Sequence, residues 1–185
     1  MKKITVLAIS FLFAFSVAES QPQTADKEKV KETKKEVKAE RVPLKKLAGK
    51  MASSEAKRNF NSDFARASDV QWERKGEFDK VSFTNKGMKM KGYYDSEGKL
   101  VGTTQDATFA DIPAKCQEVI KTKYKDYTVG PVVFFDDNEL NETDMILWAI
   151  QFDDKDLYFV ELAKGTNKII LMCNLEGEVS FFKQL

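Results

Sequence analysis

The sequence predicts an α+β chain: two tandem units of helix plus antiparallel strands, with the helices packed on one face of a continuous or paired antiparallel sheet. Three observations carry this. First, adding 79 to each position from Phe78 to Gln105 superimposes that segment without a gap on Leu157 to Gln184. Only five of the 28 paired positions are identical, so what repeats is the apolar pattern and the turn chemistry: Val81 meets Val160, Met90 meets Ile169, and Glu97-Gly98 meets Glu176-Gly177. Second, 14 Phe and many β-branched residues favour a sheet-rich domain. Third, each unit opens with a short amphipathic stripe at helical spacing.

The first helix follows from Ser53-Ser54-Glu55 as a start signal and from Ala56, Phe60, Phe64 and Ala67 along one face. The second starts at Asp111-Ile112-Pro113 and presents Cys116, Val119, Ile120 and Tyr124. Strands are expected at 70–74, 78–84, 88–94 and 99–105 in the first unit, and at 129–136, 145–152, 157–163, 168–174 and 178–184 in the second. Turn signals separate them, among them Asn85-Lys86-Gly87 and Asp95-Ser96-Glu97-Gly98. An extra strand or elongated hairpin is expected around 137–144. Period-two alternation turns Met88, Met90, Gly92 and Tyr94, with Ile169, Leu171 and Cys173, toward the helices, and Lys89, Lys91 and Tyr93 away from them.

Before the domain, Lys2-Lys3 precedes a mostly apolar run from Ile4 to Val17, and Ser16-Val17-Ala18 suits cleavage after Ala18. Residues 1–18 read as a signal peptide, because 14 apolar residues fall short of the roughly 20 that span a bilayer. No cysteine follows the run, which argues against a lipoprotein; the expected location is periplasmic or secreted. Residues 19–46 form a linker rich in Lys and Glu, without aromatics, whose burial cannot offset its ordering entropy. It serves as a spacer or as an electrostatic tether. The domain then occupies 47–185, with units of about 47–106 and 107–185.

The landmarks Phe60, Phe64, Ala67, Val70 and Trp72, then Val81-Ser82-Phe83, Tyr94-Asp95-Ser96-Glu97-Gly98-Lys99-Leu100, and Ile112-Pro113 ahead of Ile120 and Tyr124 carry a resemblance. The chain resembles the PepSY-like family of exported bacterial proteins, described as β-lactamase-inhibitor-like. The resemblance covers roughly residues 60–185 and rests on structural landmarks, not on a catalytic signature. It implies helices on one sheet face with the other face open, and protein binding or inhibition as the role. Pro131 stands where the first unit has Trp72, a departure from an exact repeat.

Most chemistry is excluded by composition. The chain has no His, so His-dependent general acid–base catalysis, Ser-His-Asp or Cys-His nucleophiles and His-ligated zinc are absent. Two cysteines, Cys116 and Cys173, cannot build an all-thiolate zinc site within one chain. They serve either as a disulfide or as two small core residues. The nine Gly are scattered, with no phosphate-binding loop. Asp136, Asp137, Glu139, Glu142 and Asp144 offer oxygen ligands for calcium but lack the spacing of an EF-hand, and a solvated acidic hairpin tip explains them as well. Trp72 and Trp148 read as core more readily than as a ligand stack. No catalytic residue, metal site or cofactor is expected, and neither nucleic acid nor a membrane span in the mature chain.

The candidate binding face comes from comparing outward positions in the two units. Lys80, Ser82, Lys89, Lys91, Tyr93 and Thr103 in the first correspond to Phe159, Glu161, Lys168, Ile170, Met172 and Phe182 in the second. The apolar set is either exposed or covered, by the extra hairpin near Leu140, by a second copy of the chain, or by another protein. Left open, it makes Phe159, Ile170, Met172 and Phe182, rimmed by Lys89, Lys91 and Tyr93, the expected partner-binding residues. The leading functional reading is an exported non-enzymatic binding module, such as an inhibitor or envelope accessory protein, acting on an envelope or secreted protein or on itself. The alternative is a small-ligand or calcium receptor of the cell envelope.

Overall fold

The computed structural model describes residues 44–185; the segments expected to be a signal peptide (1–18) and most of a linker (19–46) lie outside the described residues. The elements run α1 (Ser54–Asp63), β1 (Ser68–Lys75), β2 (Phe78–Asn85), β3 (Met88–Tyr94), β4 (Leu100–Ala107), α2 (Ala114–Lys123), β5 (Thr128–Asp137), β6 (Met145–Leu147), β7 (Ile150–Phe152), β8 (Leu157–Lys164), β9 (Asn167–Asn174) and β10 (Val179–Gln184). Eight strands form one antiparallel sheet in the order β1-β2-β3-β4-β5-β8-β9-β10, and β6-β7 form a separate hairpin. Among the described residues the fold is α+β, mainly sheet with two short helices.

Both helices begin where the sequence signals place them. The Ser53 hydroxyl accepts from the Ala56 amide at 3.0 Å and closes the first turn of α1. At α2 the residue before the helix is Pro113, and the nearby Asp111 carboxylate instead ties back to the amide and hydroxyl of Thr108, each at 2.7 Å. The helices lie on the same sheet face. Ala56 and Phe60 of α1 pack on Val81, Phe83 and Tyr94, and Cys116 and Ile120 of α2 pack on Val132, Val160, Leu162, Ile169, Leu171 and Cys173. The expected helix-facing residues are therefore found there, except that Met88 sits at the open start of β3, half exposed.

The two turns read from the sequence repeat in detail. Asp95 Oδ1 accepts from the amides of Glu97 and Lys99, and Asn174 Oδ1 accepts from the amide of Glu178. Each turn presses a positive-φ glycine against a helix start. A Cβ on Gly98 would lie 2.6 Å from the Ala56 nitrogen, and one on Gly177 would lie 2.6 Å from Lys115 Cβ. Only glycine supplies both the backbone angle and the clearance.

Three expectations are corrected. Residues 145–152 do not form one strand: they form β6 and β7, reversed at Trp148-Ala149, both of which have positive φ (48° and 62°). That is the geometry of a two-residue hairpin turn, built here without the usual Asn-Gly. Residues 138–144 are the loop leading into this hairpin and hold no strand. Leu44, expected in the linker, packs half-buried against the core on the sheet face opposite the helices.

Candidate functional site

The sheet face opposite the helices, the outer face, has two regions. Over β5, β8, β9 and β10 it is apolar, and the β6-β7 hairpin folds onto it. Phe135, Leu157, Phe159 and Ile170 are buried together with Met145 and Phe152 of the hairpin. The contact is mainly aromatic: Phe159 has Phe182 at 4.9 Å, Phe152 at 5.1 Å and Trp148 at 5.4 Å between ring centroids. Trp148 caps the stack at the hairpin tip, 37% exposed, and its carbonyl accepts from the Lys183 ammonium. The hairpin also offers Gln151 Nε2 to Asp144 Oδ2 at 2.8 Å, which ties its second strand to the loop before it.

Over β1 to β5 the outer face is polar and open. It forms a shallow cavity of about 520 Å³, lined among others by Gln71, Ser82, Thr84, Lys89, Lys91 and Thr104. Strand pairing puts these side chains on one surface: Gln71 pairs with Ser82, Ser82 with Lys91, Thr84 with Lys89, and Lys91 with Thr104. Lys89 and Lys91 are exposed and make no ion pair among the described residues, whereas Lys80, further along the same face, pairs with Glu73 at 2.5 Å.

The sequence-derived site residues are thus divided. Lys89 and Lys91 line the open region. Phe159 and Ile170 are 1% and 2% exposed beneath the hairpin, and Met172 and Phe182 are half-buried at its border. With the hairpin in place, Phe159 and Ile170 are out of reach of a partner; the cover is the chain's own hairpin at 145–152. Tyr93, expected in solvent, is buried instead. It packs edge-on against Phe78 at 6.3 Å, and its hydroxyl pairs with Thr104 Oγ1 at 3.2 Å, which satisfies the polar end. Thr103, also expected outward, is buried on the helix side, because it pairs with Gly92. The reason is the placing of the bulges. In β4 the register shifts opposite Tyr93 and Tyr94, whereas in β10 it shifts between Phe181 and Lys183, so the fixed offset fails past that point.

The acidic loop does not gather into a metal site: among the described residues no group of three His, Cys, Asp or Glu side chains is placed to hold a metal ion. Asp136 and Asp137 sit at the end of β5, and Asp156 Oδ1 accepts from the Asp137 amide at 2.9 Å. Burial, reinforced by Asp154 and Asp156, pushes the Asp137 carboxyl up to about 6, and its Oδ1 is buried without a hydrogen-bond partner. The other Trp behaves as expected of core: Trp72 packs against Phe60 and Tyr94.

Comparison with known proteins shows the fold. A DUF2874 family protein from Bacteroides uniformis superimposes with a TM-score of 0.59 at 15% identity, over 72% of this chain and 89% of that one. A BLIP-like protein from Bacteroides fragilis gives 0.56 at 15% identity, over 80% and 92%. A protein of Bacteroides eggerthii provisionally described as periplasmic gives 0.57 at 15% identity, over 72% and 88%. What is shared is architecture. No family model matches the sequence, and no curated protein matches it. None of these three structures is named for an enzyme activity, and no helix among the described residues is long and apolar enough to cross a membrane.

Proposed function

We propose that this chain is an exported, non-catalytic protein-binding module that engages another envelope or secreted protein through the outer face of its sheet. The observation that carries the reading is the asymmetry of the sheet. Helices cover one face, while the other keeps an open cavity over β1 to β5 beside a folded hairpin. The absence of His and of any phosphate-binding loop in the sequence removes the common routes to catalysis, and the fold likeness to a BLIP-like protein fits a binding role.

Within this reading Lys89 and Lys91 are the direct contacts. They are exposed, without an ion pair among the described residues, and rooted on a strand paired on both sides, so each can pair with a partner carboxylate without first breaking a bridge there. Trp148, Met172 and Phe182 supply a second, apolar contact at the border of the hairpin, and Phe159 and Ile170 hold that border in shape from beneath. The signal peptide at 1–18 and the linker at 19–46 serve export and spacing. We also infer that α1-β1-β2-β3-β4 and α2-β5-β8-β9-β10 are copies of one unit. Helix α2 starts 60 residues after α1 and β8 starts 79 after β2, a difference that matches insertion of the β6-β7 hairpin into the second copy.

The test is charge reversal on the open face. The double variant K89E/K91E changes two exposed side chains and leaves folding intact. Recovery of co-purifying envelope protein by tagged wild-type chain, lost with K89E/K91E and retained with a matched K121E/K123E change on α2, is the expected result. Equal recovery by all three proteins would remove the open face from the interaction.

A further inference from the structure

We propose that Cys116 and Cys173 are a disulfide-forming pair, closed as the chain folds under oxidising conditions and stapling α2 to β9. The fold brings them together from 57 residues apart in sequence. Cys116 lies on the inward face of α2 and Cys173 on the helix-facing side of β9, and both are fully buried in the same apolar cluster. Cys116 Sγ is 3.8 Å from the carbonyl oxygen of Asn174, the residue next to Cys173, and 3.7 Å from that of Glu178. Both cysteines are free thiols in the structure, and each lies within the electrostatic reach of the other. They are the only cysteines in the chain, so no other intramolecular pairing competes.

Their surroundings fix when the bond forms. Once α2 is seated, both thiols are sealed from solvent, and burial pushes both above the ordinary thiol range. A folded, reduced pair therefore offers no thiolate and no access, which rules out a reversible surface switch. Oxidation belongs to the stage before α2 docks, with an oxidised dithiol or glutathione disulfide as the donor. The thiolate of one cysteine attacks the donor disulfide, forming a mixed disulfide and releasing one donor sulfur as a thiolate. The thiolate of the second cysteine then attacks the chain sulfur of that mixed disulfide and expels the other donor sulfur. Two chain thiols are oxidised by two electrons, the donor is reduced, and the two protons end on the donor's sulfurs. The occurrence of this reaction in cells rests on the export reading above, because reduced compartments keep such thiols open.

The experiment refolds reduced, denatured chain in a glutathione redox buffer, then denatures it without reductant, alkylates it and measures its mass. The expected product carries no alkyl group, is lighter by about 2 Da, and yields cross-linked tryptic peptides 116–121 and 169–183. Its thermal midpoint should exceed that of the chain refolded in reductant by roughly 10 °C. The C116A/C173A variant should show one midpoint in both buffers, which keeps the comparison valid if either single variant folds poorly. Two alkylated thiols per chain, or cross-links only between chains, would overturn the proposal. Protein taken directly from producing cells separates the two readings: free thiols there, with a disulfide formed in the redox buffer, would count against export and leave the pair standing.

Discussion

The Arg74 guanidinium forks around the Asp79 carboxylate, with Nε 2.6 Å from Oδ1 and Nη2 2.7 Å from Oδ2. Asp79 is fully buried on the helix side of β2, and its Oδ2 also accepts from the Ser53 amide at 2.8 Å, while Arg74 Nη1 reaches the Ala48 carbonyl at 2.5 Å. One carboxylate thus ties β1, the start of α1 and the segment before it to one point. Removing one partner strands the other, so D79A should lose roughly 3–5 kcal/mol by chemical denaturation. Burial alone would raise the Asp79 carboxyl, but the hydrogen bonds from Arg74 and Ser53 outweigh it and hold it below the usual range. Its contribution is therefore present above the unfolded-state value of about 4 and is lost as pH falls through the lower folded value. The gap between wild type and D79A should narrow below that point.

Asp137 has the opposite sign. Raised to about 6 in the folded chain, it binds a proton more readily folded than unfolded. Stability should then increase as pH is lowered from above 7 through 6 and toward 4. Thermal melts at pH 5 and pH 7.5 should show the higher midpoint at pH 5, and D137N should raise the midpoint at pH 7.5 and flatten that dependence.

Phe159 tests the outer-face core. Because it is buried among Phe152, Phe182 and Trp148, F159S should cost about 3–5 kcal/mol, the range for deleting a buried aromatic ring. Half-buried Phe182 should cost less in F182S. Equal and negligible losses in urea titrations would mean that the hairpin does not cover this face.

The two turn glycines should respond in the same direction and with a definite order. Gly98 and Gly177 have φ of 75° and 92°, so Ala is strained at both. At Gly98 the new methyl meets the backbone nitrogen of Ala56 and the start of α1, whereas at Gly177 it meets the Lys115 side chain. G98A should lose more than 1 kcal/mol, and G177A less than G98A, in matched denaturant titrations.

The helices, their inward stripes and the two Gly turns were legible in the sequence, because each has a local signature: Ser53 as cap, Phe60 at helical spacing, Asp95 or Asn174 opening a turn. The hairpin was not. Trp148-Ala149 reverses the chain with two positive-φ residues that carry no turn signature, so 145–152 reads as one apolar strand. The face of Thr103 and the burial of Tyr93 were lost for different reasons. A bulge shifts the register by one residue and moves Thr103 to the helix side, while Thr104 and Phe78 give Tyr93 a buried place that alternation cannot foresee. Lys89 and Lys91 were placed correctly on the outer face, since a pair of lysines on alternating positions has no stable place beneath a helix.

The most direct measurement of the binding account is site-specific photocrosslinking in the envelope of producing cells. A photoreactive residue is placed in turn at Ser82, Lys89 and Lys91 on the open face, and at Lys57 and Lys121 on the helices. The account predicts a discrete adduct to another protein from the three sheet positions and none from the helix positions. Adducts from Lys57 and Lys121 instead, or no adduct from any sheet position, would contradict it.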